Sequence, residues 1–235
     1  AAATAKGETL LENAAREPEI VDLAQYLNRM GAKIEGAGTD TIRIQGVTEL
    51  VAADYEVMPD RIEAGTFMIA AAMTNGDVEL LGARLDHMRA VVDRLRRVGV
   101  MIDRGEKGLS VSSTRRLEPV AITTQPYPGF PTDLQAQAMA LLCLADGNSV
   151  ITEKIYPDRF LHVGELNRMG AHLHKEGPTV VIEGVKRLIG APVMASDLRA
   201  SAALILAGLA ANAPLGASPV GGAAARSPLA ALALG

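Results

Sequence analysis

The segment Leu27-Asn28-Arg29-Met30-Gly31-Ala32 recurs letter for letter as Leu166-Asn167-Arg168-Met169-Gly170-Ala171, and this repetition is the strongest indication of the fold. A looser copy, Leu95-Arg96-Arg97-Val98-Gly99-Val100, lies between them. The three glycines, at positions 31, 99 and 170, are 68 and 71 residues apart. Recurrence at a nearly fixed spacing is typical of proteins built from repeated structural units.

The residues on either side of each glycine predict a helix followed by a hairpin. Before Gly31, apolar residues from Ile20 to Met30 fall at helical spacing, and Pro18 suits a first helical turn. Gly31 ends this helix because glycine tolerates the left-handed cap conformation. After each glycine, a polar turn separates two apolar segments, the second with strand-like alternation. These second segments are residues 41–44, 109–111 and 180–182.

A second set of matching segments opens another helix in each copy. They are Asp60-Arg61-Ile62-Glu63, Thr132-Asp133-Leu134-Gln135 and Ser196-Asp197-Leu198-Arg199. The first two have the spacing of a capping box, with an acceptor followed three residues later by Glu or Gln. Apolar strands follow the first two helices. The unit is therefore helix, strand, helix, strand, strand, with full copies near residues 58–116 and 130–188.

Composition limits the classes of protein that remain. Hydrophobic residues make up 49% of the 235 residues and aromatic residues only 3%, so a core must be aliphatic. The formal net charge is −4 without a basic block, so we expect no nucleic-acid partner. Cys143 is the single cysteine, which excludes an internal disulfide and multi-cysteine metal sites. Without a recognisable signal peptide, a cytoplasmic protein is expected.

The uncharged stretch from 200 to 225 needs a separate interpretation. It is rich in alanine and glycine and contains two prolines, so it lacks the large apolar residues of a membrane-spanning helix. We predict a buried helix near residues 198–211 and no membrane association. Residues 212–235 have the composition of a low-complexity tail.

Asp133 is the first candidate for chemistry. It follows a stiff loop with three prolines and a glycine, residues 126–131, and opens a predicted helix. One interpretation is an ordinary helix cap, as for the equivalent Asp60 and Asp197. The other is a carboxylate beside an anion site at a helix N-terminus, where it could accept a proton from a hydroxyl. The residues alone leave both open.

Other polar residues give weaker signals. Arg61 and Arg199 lie within two residues of the predicted caps and could bind carboxylate or phosphate, or form surface ion pairs. Glu17 lies at a charged helix start and could simply offset the helix dipole. Cys143 lies in an apolar run and is expected to be a buried, unactivated thiol. No phosphate-binding loop or dinucleotide fingerprint is present, and we expect no cofactor and no metal.

Four motifs resemble the UDP-N-acetylglucosamine enolpyruvyl transferase family (1-carboxyvinyltransferases). They are LENAAREPEIVD at 11–22, PDRIEAGT at 59–66, FPTDLQAQ at 130–137 and MASDLRAS at 194–201. The resemblance runs in order from about Thr9 to Ala211. It implies an inside-out α/β barrel of repeated β-α-β-α-β-β units. Residues 1–56 would end the first domain, 57–211 would form an incomplete second domain, and 212–235 an anomalous tail.

The resemblance also implies an activity. Such transferases move the enolpyruvyl group of phosphoenolpyruvate to the 3-hydroxyl of UDP-N-acetylglucosamine and release phosphate, in the first committed step of peptidoglycan synthesis. Cell wall biogenesis, cell shape and cell division depend on that step. Compared with the family, the chain is expected to lack an N-terminal half with the reactive cysteine, and to be inactive alone. The alternatives are a non-catalytic remnant that binds sugar nucleotide or a partner, and a 3-phosphoshikimate 1-carboxyvinyltransferase.

By the same resemblance, individual residues acquire roles. Asp133 matches the aspartate beside the acceptor hydroxyl, a base and sugar anchor. Ile155 matches a backbone contact to the sugar nucleotide, and Arg159 a basic residue in the same segment. The residues that match charged groups supporting the substrate cleft are Glu17, Asp60, Arg61, Asp197 and Arg199.

Overall fold

The computed structural model describes residues 1–113, 116–195 and 197–211 of the chain, so the tail predicted at 212–235 lies outside the described residues. Its contacts divide the chain into two compact units. Unit 1 comprises residues 1–60 with 126–129, and unit 2 comprises 61–125 with the residues from 130 onward. Helices and strands are interspersed along the chain, which is an α/β protein.

Unit 1 is one helix on one small sheet. Its strands are β1 (Glu8–Glu12), β2 (Lys33–Glu35) and β3 (Thr41–Gln45), all antiparallel in the order β1-β3-β2. Helix α1 (Pro18–Arg29) begins with the proline in its first turn, as predicted. Alternate residues of β3 and the inner face of α1 form a separate small aliphatic core, which includes Ala24, Ile34, Ile42 and Ile44.

Unit 2 contains the predicted order of elements twice. The first copy is α2 (Arg61–Thr74), β4 (Asp77–Leu81), α3 (Arg89–Val98), β5 (Met101–Arg104) and β6 (Gly108–Ser112). The second is β7 (Ala121–Thr123), α4 (Gln135–Leu142), β8 (Asn148–Thr152), α5 (Leu161–Arg168), β9 (His172–Glu176) and β10 (Thr179–Glu183). Helix α6 (Leu198–Ala210) then opens a third copy. The sheets have the orders β4-β6-β5 and β7-β8-β10-β9, and β7 runs parallel to β8.

Helices α2, α4 and α6 pack against one another in the middle of unit 2. All eight residues of α4 are buried, and eleven of the fourteen residues of α2 are buried. Such helices are apolar on nearly every side, since sheets or other helices cover them all round. The N-termini of these helices are therefore the places where polar side chains can reach the edge of the core.

The asparagines of the repeated motif make the same hydrogen bonds in both copies. The Asn28 side chain donates to the carbonyl of Ile34 and accepts from its N–H, both at 2.8 Å. Asn167 makes the same pair of bonds to Leu173, at 3.0 and 2.8 Å. Arg96 takes this place in the looser copy and donates to the matching strand carbonyl. Each side chain thus ties the end of its helix to the strand that follows.

The repeated glycines make the tight turn between that helix and that strand. Gly31, Gly99 and Gly170 have φ values of 101°, 104° and 84°, a left-handed conformation that costs glycine little. The residue after each glycine donates its N–H to the carbonyl five residues back, at 3.0 to 3.1 Å. This is the arrangement of a Schellman cap, which satisfies the last carbonyls of the helix.

Helix α6 confirms the buried helix predicted near residues 198–211. Within the part of the chain that the structure describes, no helix combines the length and the apolar character needed to cross a bilayer.

Candidate functional site

Asp133 lies in unit 2, in a short 3-10 turn at Thr132–Leu134 that precedes α4. Its two carboxylate oxygens are taken by different arginines. Arg159 Nη1 donates to Oδ1 at 2.6 Å, and Arg199 Nη2 donates to Oδ2 at 2.8 Å. The arginines come from the loop before α5 and from the first turn of α6, so three segments distant in the sequence meet at this carboxylate.

Two guanidinium groups face the one carboxylate of Asp133. The exposed fractions of the side chains are 36% for Asp133, 23% for Arg159 and 24% for Arg199, so solvent reaches the cluster. Burial raises the pKa of Asp133, but the hydrogen bonds and charges of Arg199 and Arg159 outweigh it and hold that pKa below its ordinary value. Asp133 is therefore ionised at neutral pH.

Glu153, just after β8, lies next to this cluster and is fully buried. Its Oε2 accepts from the Thr132 hydroxyl at 2.9 Å, and Thr132 Oγ1 in turn accepts from Arg159 Nη1 at 3.3 Å. Its Oε1 accepts from the Thr124 hydroxyl at 2.6 Å. Glu153 thereby joins the end of β7, the end of β8 and the turn that carries Asp133.

The loop after β8 is fixed by the same carboxylate. The N–H groups of Ile155 and Tyr156 both donate to Glu153 Oε1, at 2.7 and 2.9 Å. The Ile155 side chain is 41% exposed. Because its N–H is already used, a ligand contact through the Ile155 backbone would have to go through its carbonyl oxygen.

Asp197 caps α6, as one of the two interpretations of these acids predicts. Its Oδ1 accepts from the N–H groups of Arg199 and Ala200, at 2.8 and 2.9 Å. The cap fixes the first turn of α6, and with it the backbone of the arginine that reaches Asp133. Asp197 thus supports the cluster without belonging to it.

The cap predicted at Thr132 and Asp133 is wrong. No side-chain capping bond forms at the 3-10 turn or at the start of α4. Thr132 donates to Glu153 instead, and the Asp133 carboxylate is held by charge-assisted bonds to two guanidinium groups. Gln135, the expected partner in the capping box, is buried, and neither amide atom has a hydrogen-bond partner within the described residues.

The remaining sequence candidates lie on other elements of the chain. Arg61 is buried in the first turn of α2. Asp60 and Glu17 belong to unit 1, where Glu17 directly precedes α1 and makes no side-chain capping bond. Cys143 is fully buried, and burial raises its pKa to about 12, which confirms the predicted unactivated thiol.

Glu153 and Thr132 belong to the candidate site by their contacts, and the sequence does not reveal these contacts. A glutamate at a strand end is normally a solvated residue, and charged side chains are rarely buried unless paired. Pairing here depends on the Thr132 hydroxyl, 21 residues away in the chain. His162 is a further buried neighbour, and burial lowers its pKa to about 4, so it is neutral at neutral pH.

Replacing Arg199 by glutamine should raise the pKa of Asp133 towards its ordinary value of about 3.9. The folded-state pKa of Asp133 lies below the unfolded value, so its contribution to stability is present above that value and is lost as pH falls through the folded-state pKa. The measurement is a carbon-detected NMR titration of the Asp133 carboxyl.

The matched control is Arg168→Gln, because the Arg168 side chain is 60% exposed and pairs with Glu165 on its own helix. This variant should leave the pKa of Asp133 unchanged. Equal pKa values of Asp133 in the wild type and Arg199→Gln would show that the ion pair contributes nothing.

Comparisons with known proteins agree with this architecture. The chain is similar to the crystal structure of the enolpyruvyl transferase NikO from Streptomyces tendae, with a TM-score of 0.79 and 28% identity over 90% of this chain and 51% of that chain. The model of the family described as EPSP synthase (3-phosphoshikimate 1-carboxyvinyltransferase) matches residues 1–218. The chain therefore belongs to the EPSP synthase family.

Curated proteins that are similar to this chain carry a more specific name than the family does. A UDP-N-acetylglucosamine 1-carboxyvinyltransferase from Trichlorobacter lovleyi is 63% identical over 212 residues, which cover 90% of this chain and 51% of that protein. One of the same name from Geotalea uraniireducens is 62% identical with the same coverage. The chain spans about half the length of the curated relatives it matches.

Proposed function

We propose that the protein to which these 235 residues belong transfers the enolpyruvyl group of phosphoenolpyruvate to the 3-hydroxyl of UDP-N-acetylglucosamine, releasing phosphate. The names of the relatives at 62–63% identity support this choice of acceptor. The observation that carries the chemistry is the partly exposed Asp133 carboxylate between the guanidinium groups of Arg159 and Arg199. Both substrates are anionic, and guanidinium groups bind phosphate and carboxylate.

In this proposal Asp133 is the group nearest the acceptor hydroxyl. A carboxylate with a lowered pKa is a good hydrogen-bond acceptor and a poor base, since a general base works best with a pKa near the working pH. When a phosphate or carboxylate of the substrates draws Arg159 and Arg199 away, the pKa of Asp133 rises. Substrate binding would thus convert an anchor for the sugar hydroxyl into its proton acceptor.

The two arginines then hold the anionic part of the reacting groups. Guanidinium groups bind phosphate and carboxylate through paired, charge-assisted hydrogen bonds. The loop at Ile155 is bonded to the same buried Glu153 through its N–H groups, and the Ile155 carbonyl oxygen would accept from the sugar nucleotide. Asp197 keeps the start of α6 in place while Arg199 changes partner.

The finer architecture follows the same proposal. Residues 1–56 would complete a first domain, and residues 57–211 would form most of a second, each an inside-out α/β barrel of β-α-β-α-β-β repeats. The copies in unit 2 and the central helices α2, α4 and α6 support the repeat. Glu17, Asp60 and Arg61 would support the substrate cleft from the remaining helix starts.

The test uses a hybrid protein. In it, this chain is joined to the part of the Trichlorobacter lovleyi relative that the chain does not match. Phosphate release from phosphoenolpyruvate is measured with UDP-N-acetylglucosamine or with shikimate 3-phosphate as acceptor. We expect release only with the sugar nucleotide, and none from the present chain assayed alone. Release with shikimate 3-phosphate only would overturn the acceptor. No phosphate release with either acceptor, when the intact relative is active in the same assay, would favour a non-catalytic binding remnant.

A further inference from the structure

Glu153 is a carboxylate with no access to solvent, yet four donors surround it. The donors are the hydroxyls of Thr124 and Thr132 and the N–H groups of Ile155 and Tyr156. All four donate, which matches an ionised carboxylate because that group is acceptor-only. Burying a carboxylate is costly unless its hydrogen bonds are made, and an apolar residue here would leave these four donors without their acceptor.

The partners of Glu153 lie on the segments that carry the candidate site. Thr132 adjoins Asp133 in the 3-10 turn and also accepts from Arg159. Ile155 and Tyr156 begin the loop that leads to Arg159. Thr124 receives a further bond from the Lys154 N–H at 2.8 Å, which closes the network around the strand ends.

We propose that Glu153 is a positioning residue, which sets the spacing between the Asp133 turn and the loop from Ile155 to Arg159. Its Oε2 accepts from the Asp133 turn, and its Oε1 accepts from the N–H groups of the loop. It touches no substrate in this account and acts only through Thr132 and the loop N–H groups.

The variant Glu153→Gln keeps the size of the side chain and replaces one acceptor oxygen by a donor. In the ligand-free chain, we expect amide hydrogen exchange at Ile155 and Tyr156 to become about 10- to 100-fold faster, the size expected for lost bonds to a charged group. Exchange at Val150 and Ile151, in the centre of β8, should stay within a factor of about two. Glu153→Asp, which restores the charge on a shorter side chain, should recover part of the protection.

Two further variants separate positioning from general weakening. Glu183→Gln changes an exposed glutamate of the same sheet, 65% accessible, and should have no effect at these amides. Thr132→Val removes the bond that links Glu153 to the Asp133 turn, together with the Thr132–Arg159 hydrogen bond. It should speed exchange of the Arg159 guanidinium protons at least threefold, and it provides the test if Glu153→Gln does not fold.

The binding part of the experiment rests on the proposed function. Glu153→Gln and Thr132→Val should each raise the Kd for UDP-N-acetylglucosamine about tenfold or more, with Glu183→Gln unchanged. If the wild type does not bind, the proposed function fails, while hydrogen exchange still decides the role of Glu153. Unchanged exchange at Ile155 and Tyr156, or equal acceleration there and in β8, would overturn the positioning role. So would unchanged Arg159 proton exchange in Thr132→Val.

Discussion

Replacing Asp133 by asparagine is expected to lower acceptor-dependent phosphate release by the hybrid enzyme roughly 100- to 10,000-fold, the usual contribution of a positioned general base. Asparagine keeps the size and one carbonyl acceptor of Asp133, but it cannot take a proton and cannot neutralise Arg159 and Arg199. The loss should therefore appear mainly in kcat. The measurement is continuous detection of phosphate at saturating phosphoenolpyruvate.

The control for this variant is Asp93→Asn, which changes a 53% exposed aspartate on α3 that pairs with Arg97. It should leave kcat within about twofold of the wild type. A decrease of less than threefold in Asp133→Asn, with an intact fold, would exclude the role of base and leave at most that of an anchor.

Replacing Leu166 by alanine is expected to lower the free energy of unfolding by about 2–5 kcal/mol. Leu166 belongs to the repeated motif, lies on the inner face of α5 and is fully buried in the core of unit 2. Removing its methyl groups loses their transfer energy and leaves a cavity that the close-packed surroundings fill only in part. Urea unfolding followed by circular dichroism measures the change.

Leu161 offers a matched control on the same helix, because it is 61% exposed. Leu161→Ala should change the free energy of unfolding by no more than about 0.5 kcal/mol. Equal effects of the two substitutions would contradict the packing of α5 described here.

The sequence predicts the fold well where structure depends on local chemistry. The repeated glycines are visible because a left-handed turn accepts few other residues, and the helix-to-strand bonds of Asn28 and Asn167 recur with them. The apolar character of residues 198–211 likewise indicates the buried helix α6. These features require only neighbours within a few residues.

The candidate site is predicted less completely because it depends on distant contacts. Asp133 and Asp197 occupy matching positions in the repeat, and the sequence offers both as caps. Of these two aspartates, Asp197 caps a helix and Asp133 does not. The Asp133 carboxylate instead binds Arg159 and Arg199, which lie 26 and 66 residues away in the chain. Glu153 is missed for the same reason, because its burial depends on hydroxyl partners in other segments.

An NMR titration of this isotope-labelled chain with UDP-N-acetylglucosamine, with shikimate 3-phosphate as the comparison, tests whether the Asp133 cluster binds the acceptor. We expect saturable shifts for the sugar nucleotide at the amides of Asp133, Ile155 and Arg199, reduced in Asp133→Asn. Shikimate 3-phosphate should produce no saturable shifts at these three amides. Absence of shifts at these residues, or stronger saturation by shikimate 3-phosphate, would contradict the assignment of the acceptor site to this cluster.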